Sequence, residues 1–195
     1  LQGNPSEDLT HDVQLLLLIQ PNCPGCHIHA LPAANELASS KQDFDIYCVS
    51  TAFEDFEFNT IENAKKLLQG ELVGVSKQQL GPKTSHIPTM PVAYDEVTEK
   101  SDLSAQLLDI AIEASKQNTR EQMEEKVHPG VLEKMLHQAN KDMLLPEKAA
   151  RVFWSVRALG TPFWVLHRRS GEVIDRRFGQ HSAKELLQWI QPHLG

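Results

Sequence analysis

The amino-acid sequence predicts an α/β fold, and three observations support this class. The near-continuous apolar run Val13–Ile19 is typical of a strand that is covered on both faces of a sheet. Strand-like and helical stretches then alternate in the order β-α-β-α-β, which favours parallel strands joined by right-handed crossovers. Two more strand-like stretches, 163–167 and 173–178, flank the hairpin signal at 169–172. Together these features predict a central mixed sheet flanked by helices.

Capping residues and chain breakers delimit the other predicted elements. Asn22 is suited to cap a helix that runs to about Ser40, with Pro24 in its first turn. Pro32 predicts a kink in this helix because proline lacks an N–H and crowds the preceding turn. The remaining elements are expected as a strand at 44–50, a helix at 60–69 ended by Gly70, a strand at 89–94, a helix at 146–159 and a final helix capped by Ser182.

The segment 97–149 has a different texture from its surroundings. Apolar residues recur there at helical spacing among Lys, Glu and Gln, with a break at 128–130, and this pattern predicts two helices. We therefore expect a polar N-terminal arm at 1–12, an α/β domain formed by 13–96 and 150–195, and a helical insertion at 97–149. We also expect the insertion to form a lid beside the cysteine site described below.

Composition and charge exclude several classes of protein. The 195 residues include 19 Lys and Arg against 26 Asp and Glu, and the net charge of −7 disfavours nucleic-acid binding. The longest apolar run, Leu15–Ile19, is too short to span a membrane, and three cysteines are too few for a disulfide-stapled scaffold. The polar, acidic start does not resemble a signal peptide, so the compartment stays open between periplasmic or other extracytoplasmic locations and the cytoplasm.

The most informative feature is the pair Cys23 and Cys26, which are separated by Pro24 and Gly25. At the start of a helix this spacing puts both sulfurs on one side of the first turn. Free N–H groups and the positive end of the helix dipole favour a thiolate, so we expect Cys23 to be the nucleophile. Cys26, one turn deeper, is expected to resolve a mixed disulfide by attacking Cys23. A C-x-x-C pair that follows a buried strand is a fairly specific redox signal.

These residues resemble a known family. The segment Ile19–Cys26, in its strand–helix setting, looks like the active site of the thioredoxin superfamily. The C-terminal half of that superfamily is similar to 156–167, 170–173 and 178–179 of this sequence. The segments 48–55 and 90–95 further resemble the TlpA-like thiol–disulfide (redoxin) branch. The helical insertion lies outside the resemblance.

The resemblance implies a thioredoxin-like fold and a thiol–disulfide oxidoreductase that exchanges disulfides with protein or peptide thiols. It implies an unidentified redox partner protein, no cofactor and no metal. Cys23 then matches the nucleophile, Cys26 the resolving thiol and Pro162 the cis-proline. The implied substrate-binding residues are Thr161, Pro24 and Gly25, with the backbone of Thr161 pairing with an extended substrate.

The sequence departs from the superfamily pattern at several positions. Asn22 replaces the usual Trp before the first cysteine, and Leu17 and His29 occupy the positions where many relatives carry a buried acid. His27 and His29 are therefore candidate proton acceptors for the resolving thiol, because an imidazole can accept a proton near neutral pH. Alternatively, both are exposed histidines of the first helical turn.

Other functions remain open for the same residues. The pattern C-x-x-C-H also fits attachment of c-type haem, and the thiols could bind Cu(I) or another metal. A closed zinc site would need a second paired motif, which the sequence lacks. Further alternatives are a peroxiredoxin-like peroxidase, although Gln20 stands where such enzymes carry Thr, and a non-catalytic thioredoxin-fold binding or chaperone module. Cys48 is expected to be a small apolar residue within the second strand.

Overall fold

A five-stranded mixed sheet lies at the centre of this computed structural model, which describes residues 9–40, 42–123, 126–138 and 148–194. The strands are β1 (Val13–Ile19), β2 (Asp45–Ser50), β3 (Val92–Tyr94), β4 (Phe163–Arg168) and β5 (Val173–Phe178). Their order is β3-β2-β1-β4-β5. The strands β1, β2 and β3 are parallel, whereas β4 is antiparallel to both β1 and β5. The sheet is therefore mixed, as the sequence predicts.

The central strand β1 is buried on both faces. Leu15, Leu17 and Ile19 belong to one hydrophobic cluster, while Leu16 and Leu18 belong to the other. Alternate side chains of a strand point to opposite faces, so an uninterrupted apolar run requires a helical layer on each side. This arrangement explains why β1 could be predicted from the sequence.

Helices α1 (Leu31–Ser39) and α7 (Ala183–Ile190) contribute to the first cluster. The predicted cap of α7 is present: the Ser182 hydroxyl accepts from the N–H of Glu185, and the Glu185 carboxylate accepts from the N–H of Ser182. Trp164 and Leu186 are among the largest fully buried side chains of this cluster.

The second cluster is covered by helices α4 (Ala105–Met123) and α6 (Arg151–Ser155). Ala111 and Ala114 of α4 are buried with Phe153 of α6 and with Tyr47 and Val49 of β2. The segment 97–149 also contains α5 (Pro129–Gln138), so its described part includes the two predicted helices. The helix α4 therefore acts as a layer of the core.

A short antiparallel ribbon joins this segment to the sheet. Val97–Glu99 pairs with Lys148–Ala150, so the chain enters the segment 97–149 and leaves it along two adjacent strands. Asp95, which precedes the ribbon, is 3% exposed, and its carboxylate accepts from the N–H groups of Val152 and Phe153 at 2.8 and 3.0 Å. Burial raises the pKa of Asp95, and these hydrogen bonds oppose that shift. Asp95 thus anchors the first turn of α6.

Several predicted elements differ in the structure. The helix expected from Asn22 to Ser40 contains a π-helical turn at Cys26–Ala30. Pro32, the second residue of the α1 helix that follows, has no N–H to continue an α-helical ladder. The helix expected at 146–159 is reduced to α6, and residues 146 and 147 lie outside the described residues. The helix expected at 60–69 is α2 (Ile61–Leu67), capped by Thr60. The ribbon and helix α3 (Gly74–Leu80) were not predicted.

No helix among the described residues is long and apolar enough to cross a membrane.

Candidate active site

Cys23 and Cys26 are joined by a disulfide at the C-terminal end of β1, with their Cα atoms 5.3 Å apart. Cys23 is half-buried and Cys26 is completely buried. The spacing places the two sulfurs together at the start of the helix, as the sequence predicts. Only the sulfur of Cys23 is open to an incoming molecule.

Two polar groups flank the Cys23 sulfur. The backbone N–H of Cys26 donates to Cys23 Sγ at 3.1 Å, and the carbonyl oxygen of Thr161 lies 3.6 Å from the same sulfur. A hydrogen bond to sulfur stabilises the thiolate more than the thiol, so this N–H favours the charged form once the disulfide is reduced. The structure therefore offers a concrete source for the activation expected of Cys23.

The loop that contains Thr161 and Pro162 faces the disulfide. The peptide bond between these residues is cis, and Pro162 is buried. The Thr161 hydroxyl donates to Gln20 Oε1 at 3.0 Å, and Gln20 immediately follows β1. This bond ties the loop to the strand that leads into Cys23. This contact was not predicted, because Gln20 stood out in the sequence only as a departure from the peroxidase pattern.

Asn22, just before Cys23, does not cap its own helix, and this prediction was wrong. Its side-chain oxygen accepts from the N–H of Val75 in the first turn of α3, while its side-chain nitrogen donates to Asp55 Oδ2 at 2.8 Å. Its backbone N–H donates to Asn59 Oδ1 at 2.9 Å. Gly74 permits this arrangement because its φ is 51° and a Cβ would collide with the Asn22 side chain.

A groove of about 570 Å³ runs past Cys23. It contains the predicted site residues Pro24, Gly25, Thr161 and Pro162. Six further residues that were not predicted as site residues also line the groove: Gln20, Asn22, Glu54, Phe178, Gly179 and Gln180. No described residue of 97–149 lines this groove, so the structure does not support a lid formed by the insertion.

Glu54 and Phe178 give the groove its chemical character. Burial and the neighbouring charge of Asp55 both raise the pKa of Glu54, with burial the larger cause. Phe178 is 53% exposed and its ring packs against Gly160. Both residues are distant from the cysteines in sequence, so no local pattern could have identified them.

The two candidate histidines lie in different environments. His27 is 1% exposed, its Nε2–H donates to the carbonyl oxygen of Pro21 at 2.9 Å, and its Nδ1 has no partner among the described residues. Burial lowers the pKa of His27 and so favours the neutral ring, and the hydrogen bond to Pro21 opposes this shift. His29 is exposed and lines a separate depression with His181 and Glu36. The alternative that both are exposed therefore fails for His27.

Comparisons with known proteins identify the fold. No family model and no curated protein sequence matches the chain. The solved structure of the thioredoxin-like superfamily protein SPOA0173 is similar over 100% of this chain and 94% of its own, with a TM-score of 0.55 and 21% identity. A thiol-disulfide isomerase from Corynebacterium glutamicum is similar over 100% of this chain and 88% of its own, with a TM-score of 0.52 and 19% identity.

The chain has a thioredoxin fold. This finding confirms the predicted fold class, and both similarities extend over the segment 97–149. In this thioredoxin fold the disulfide follows the central strand β1, and the Thr161–Pro162 loop precedes the neighbouring strand β4. The two halves of the site therefore come from adjacent strands.

Metal binding by the cysteines was considered as an alternative. Among the described residues of this thioredoxin fold, no group of three or more His, Cys, Asp or Glu side chains is arranged to hold a metal ion. Cys48 is fully buried in β2 and unpaired, and burial raises the pKa of its thiol. It therefore lies in the core, as expected for an apolar filler.

Proposed function

We propose that this protein is a thiol–disulfide oxidoreductase that exchanges disulfides with protein or peptide thiols through Cys23 and Cys26. One observation carries the proposal: an accessible sulfur is bonded to a buried one at a helix start, and a backbone N–H donates to the accessible sulfur. The similarity to thioredoxin-like structures is consistent with it. Within the superfamily we propose the TlpA-like branch, on the segments 48–55 and 90–95.

In the reducing direction, the Cys23 thiolate attacks one sulfur of a substrate disulfide. A mixed disulfide forms, and the other substrate sulfur leaves as a thiolate that takes a proton from solvent. Cys26 then loses its proton and its sulfur attacks Cys23 Sγ, which forms the Cys23–Cys26 disulfide and releases the second substrate thiolate. Two electrons pass to the substrate, and a dithiol redox partner restores both thiols. Oxidation of a substrate follows the same steps in reverse.

The proton of Cys26 needs an acceptor, because a neutral thiol is a poor nucleophile. We propose His27, the residue after Cys26, since its buried Nδ1 has no hydrogen-bond partner among the described residues, the Cys26 sulfur included, while the disulfide is closed. His29 is the weaker candidate because it is exposed and does not line the groove. Replacing His27 with Gln should slow the second step and change its pH dependence, whereas His29→Gln should do neither.

The substrate platform is proposed to consist of Thr161, Pro162, Pro24 and Gly25. These residues line the groove beside Cys23. The Thr161 carbonyl oxygen lies close to the reactive sulfur, so an extended substrate that paired with this backbone would bring its own sulfur to Cys23. The hydrogen bond from Thr161 to Gln20 holds the platform in register with the cysteines.

The test measures reduction of a disulfide-linked peptide with dithiothreitol as the electron source. Cys23→Ser should abolish the catalysed rate. Cys26→Ser, reduced and freed of dithiothreitol before the peptide is added, should accumulate a mixed disulfide between Cys23 and the peptide that is visible by mass spectrometry. Cys48→Ala is the matched control, since it removes a thiol that is fully buried away from the site. Its exchange rate should equal that of the unmodified protein.

The same experiment identifies the competing functions. The proposal is contradicted if the unmodified protein does not speed reduction of the peptide by dithiothreitol and Cys26→Ser forms no mixed disulfide. Consumption of peroxide without a disulfide substrate indicates a peroxidase. A binding or chaperone activity that persists when both cysteines are Ser indicates a non-catalytic module. The reduction potential of the couple then assigns the direction, because strong reductants and strong oxidants of this kind differ by about 150 mV.

A further inference from the structure

Two arginines lie together at the edge of the sheet next to the groove. Arg176 belongs to β5, which is an edge strand, and its Nε–H donates to the carbonyl oxygen of Val156 at 2.7 Å. Arg157 is the next residue after Val156 and is exposed. The guanidinium group of Arg176 is therefore held against the loop backbone that presents Arg157.

The protein keeps these two positive charges close despite their repulsion. Partial burial and the charge of Arg157 both lower the pKa of Arg176, with burial the larger cause, and the charge of Asp175 opposes them. The backbone of Arg157 has a φ of 55°, a conformation that residues other than glycine rarely adopt. The loop thus holds Arg157 in an unfavoured conformation beside a like charge.

Within the described residues, no carboxylate lies at ion-pair distance from either arginine. The charge of Asp175 acts on Arg176 from beyond that distance, while its Oδ2 accepts from Trp189 Nε1 and its Oδ1 accepts from the backbone N–H of Arg176. Other arginines do have carboxylate partners, namely Arg120 with Glu133, Arg151 with Glu96 and Arg168 with Asp12. In a chain with a net charge of −7, this pair is left available to an external anion.

The pair lies along a path that begins at the groove. Phe178 lines the groove together with Cys23 and packs against Gly160. Arg176 is two residues from Phe178, so it lies on the same face of β5 and about 7 Å further along the strand. The loop 156–160 runs beside both residues. A chain that crosses Phe178 on its way from Cys23 would next meet the two arginines.

We propose that Arg157 and Arg176 bind an acidic side chain of the protein substrate, a few residues from the cysteine that reacts with Cys23. This proposal rests on the proposed function and specifies the substrates it favours. An extended peptide advances about 3.3 Å per residue, so a carboxylate two to four residues from the reacting cysteine can reach the pair while Phe178 contacts the residue between. Two guanidinium groups bind one carboxylate through charge-assisted hydrogen bonds.

The test compares disulfide-linked peptides that differ only at the position three residues before or after the reactive cysteine, where they carry Glu, Gln or Lys. On one of the two sides, kcat/KM should be highest for Glu and lowest for Lys, with about a two- to fivefold gain over Gln for each arginine. The gain should shrink as salt is added, because the pair is partly exposed. Arg157→Gln and Arg176→Gln should each reduce the ratio of kcat/KM for the Glu peptide to that for the Gln peptide.

The control is Arg169→Gln, which removes the same charge at the opposite end of the β4–β5 hairpin, where Arg169 Nη1 donates to the carbonyl oxygen of Thr10. It should keep the full preference for Glu. Equal rates for the Glu and Gln peptides would overturn the arginine proposal while leaving exchange intact. A preference that survives both arginine variants, or is lost equally in the control, would also overturn it. Absence of exchange with every peptide would refute the proposed function, and this proposal with it.

Discussion

Replacing Asn22 with Ala should lower the free energy of unfolding by about 2 kcal/mol. The side chain is 8% exposed and makes two hydrogen bonds, one to the carboxylate of Asp55 and one from the N–H of Val75. A net contribution of about 1 kcal/mol for each bond gives this figure. The larger value for charged partners does not hold here, because Asp55 is exposed and water can solvate it after the change. The backbone bond to Asn59 is retained.

Urea denaturation of the oxidised protein measures this loss, and thermal denaturation should show a fall in Tm of about 4–8 °C. Asn63→Ala is the matched control. It removes two hydrogen bonds at the surface, one donated to the carbonyl oxygen of Phe58 and one accepted from Lys66, and should change stability by less than about 0.5 kcal/mol. Hydrogen exchange of the Val75 amide should become faster in Asn22→Ala only. If both variants lose the same stability and Val75 keeps its protection, Asn22 does not connect the active-site turn to α3.

Three further predictions follow from buried or strained positions. Gly74→Ala should cost more than about 2 kcal/mol, because the residue has a φ of 51° and the new Cβ would collide with the Asn22 side chain. The excess should shrink in the Asn22→Ala background, and strictly additive losses would contradict the collision. Asp95→Ala should cost about 2–4 kcal/mol, because two N–H groups at the start of α6 and one hydroxyl lose their acceptor; an unchanged urea midpoint would refute this role. Burial lowers the pKa of His27, so on acidification the unfolded chain binds a proton at this residue at a higher pH than the folded chain does. Its contribution to stability should therefore be fully present above about pH 6.5 and decline as the pH falls towards its folded pKa. Stability measured against pH should show a shallower decline in His27→Gln, with the remainder partly due to His167, whose pKa burial also lowers. An identical slope in the variant would show that His27 is already free to protonate in the folded state.

The strands and the cysteine pair could be predicted because their signals are local. The run Val13–Ile19 is apolar except for Gln14, and the hairpin and the Ser182 cap each depend on residues within a few positions of one another. Cys23 and Cys26 are brought together by one turn of chain, so their spacing alone predicts their proximity. In each case the residues that form the structure are also neighbours in the sequence.

The features that escaped prediction depend on contacts between distant segments. Helix α3 has a weak apolar pattern, and its first turn is held by the side chain of Asn22, more than 50 positions earlier. The capping chemistry of Asn22 was recognised, but the helix it serves was not. The burial of His27 and the position of Phe178 in the groove likewise follow from the tertiary packing. No pattern within a short window could have revealed them.

The ribbon that closes the segment 97–149 has a consequence for how this protein can change in length. Because Val97 is paired with Ala150, the two ends of the segment are neighbours, and a short turn could bridge them without disturbing the strands on either side. The same excision would remove α4, whose Ala111 and Ala114 are buried against one face of the sheet. Removal of the segment is therefore geometrically simple, but it would strongly lower the free energy of unfolding. A shortened descendant could persist only by recruiting a replacement helix, or a companion chain, to shield the stripped surface from water.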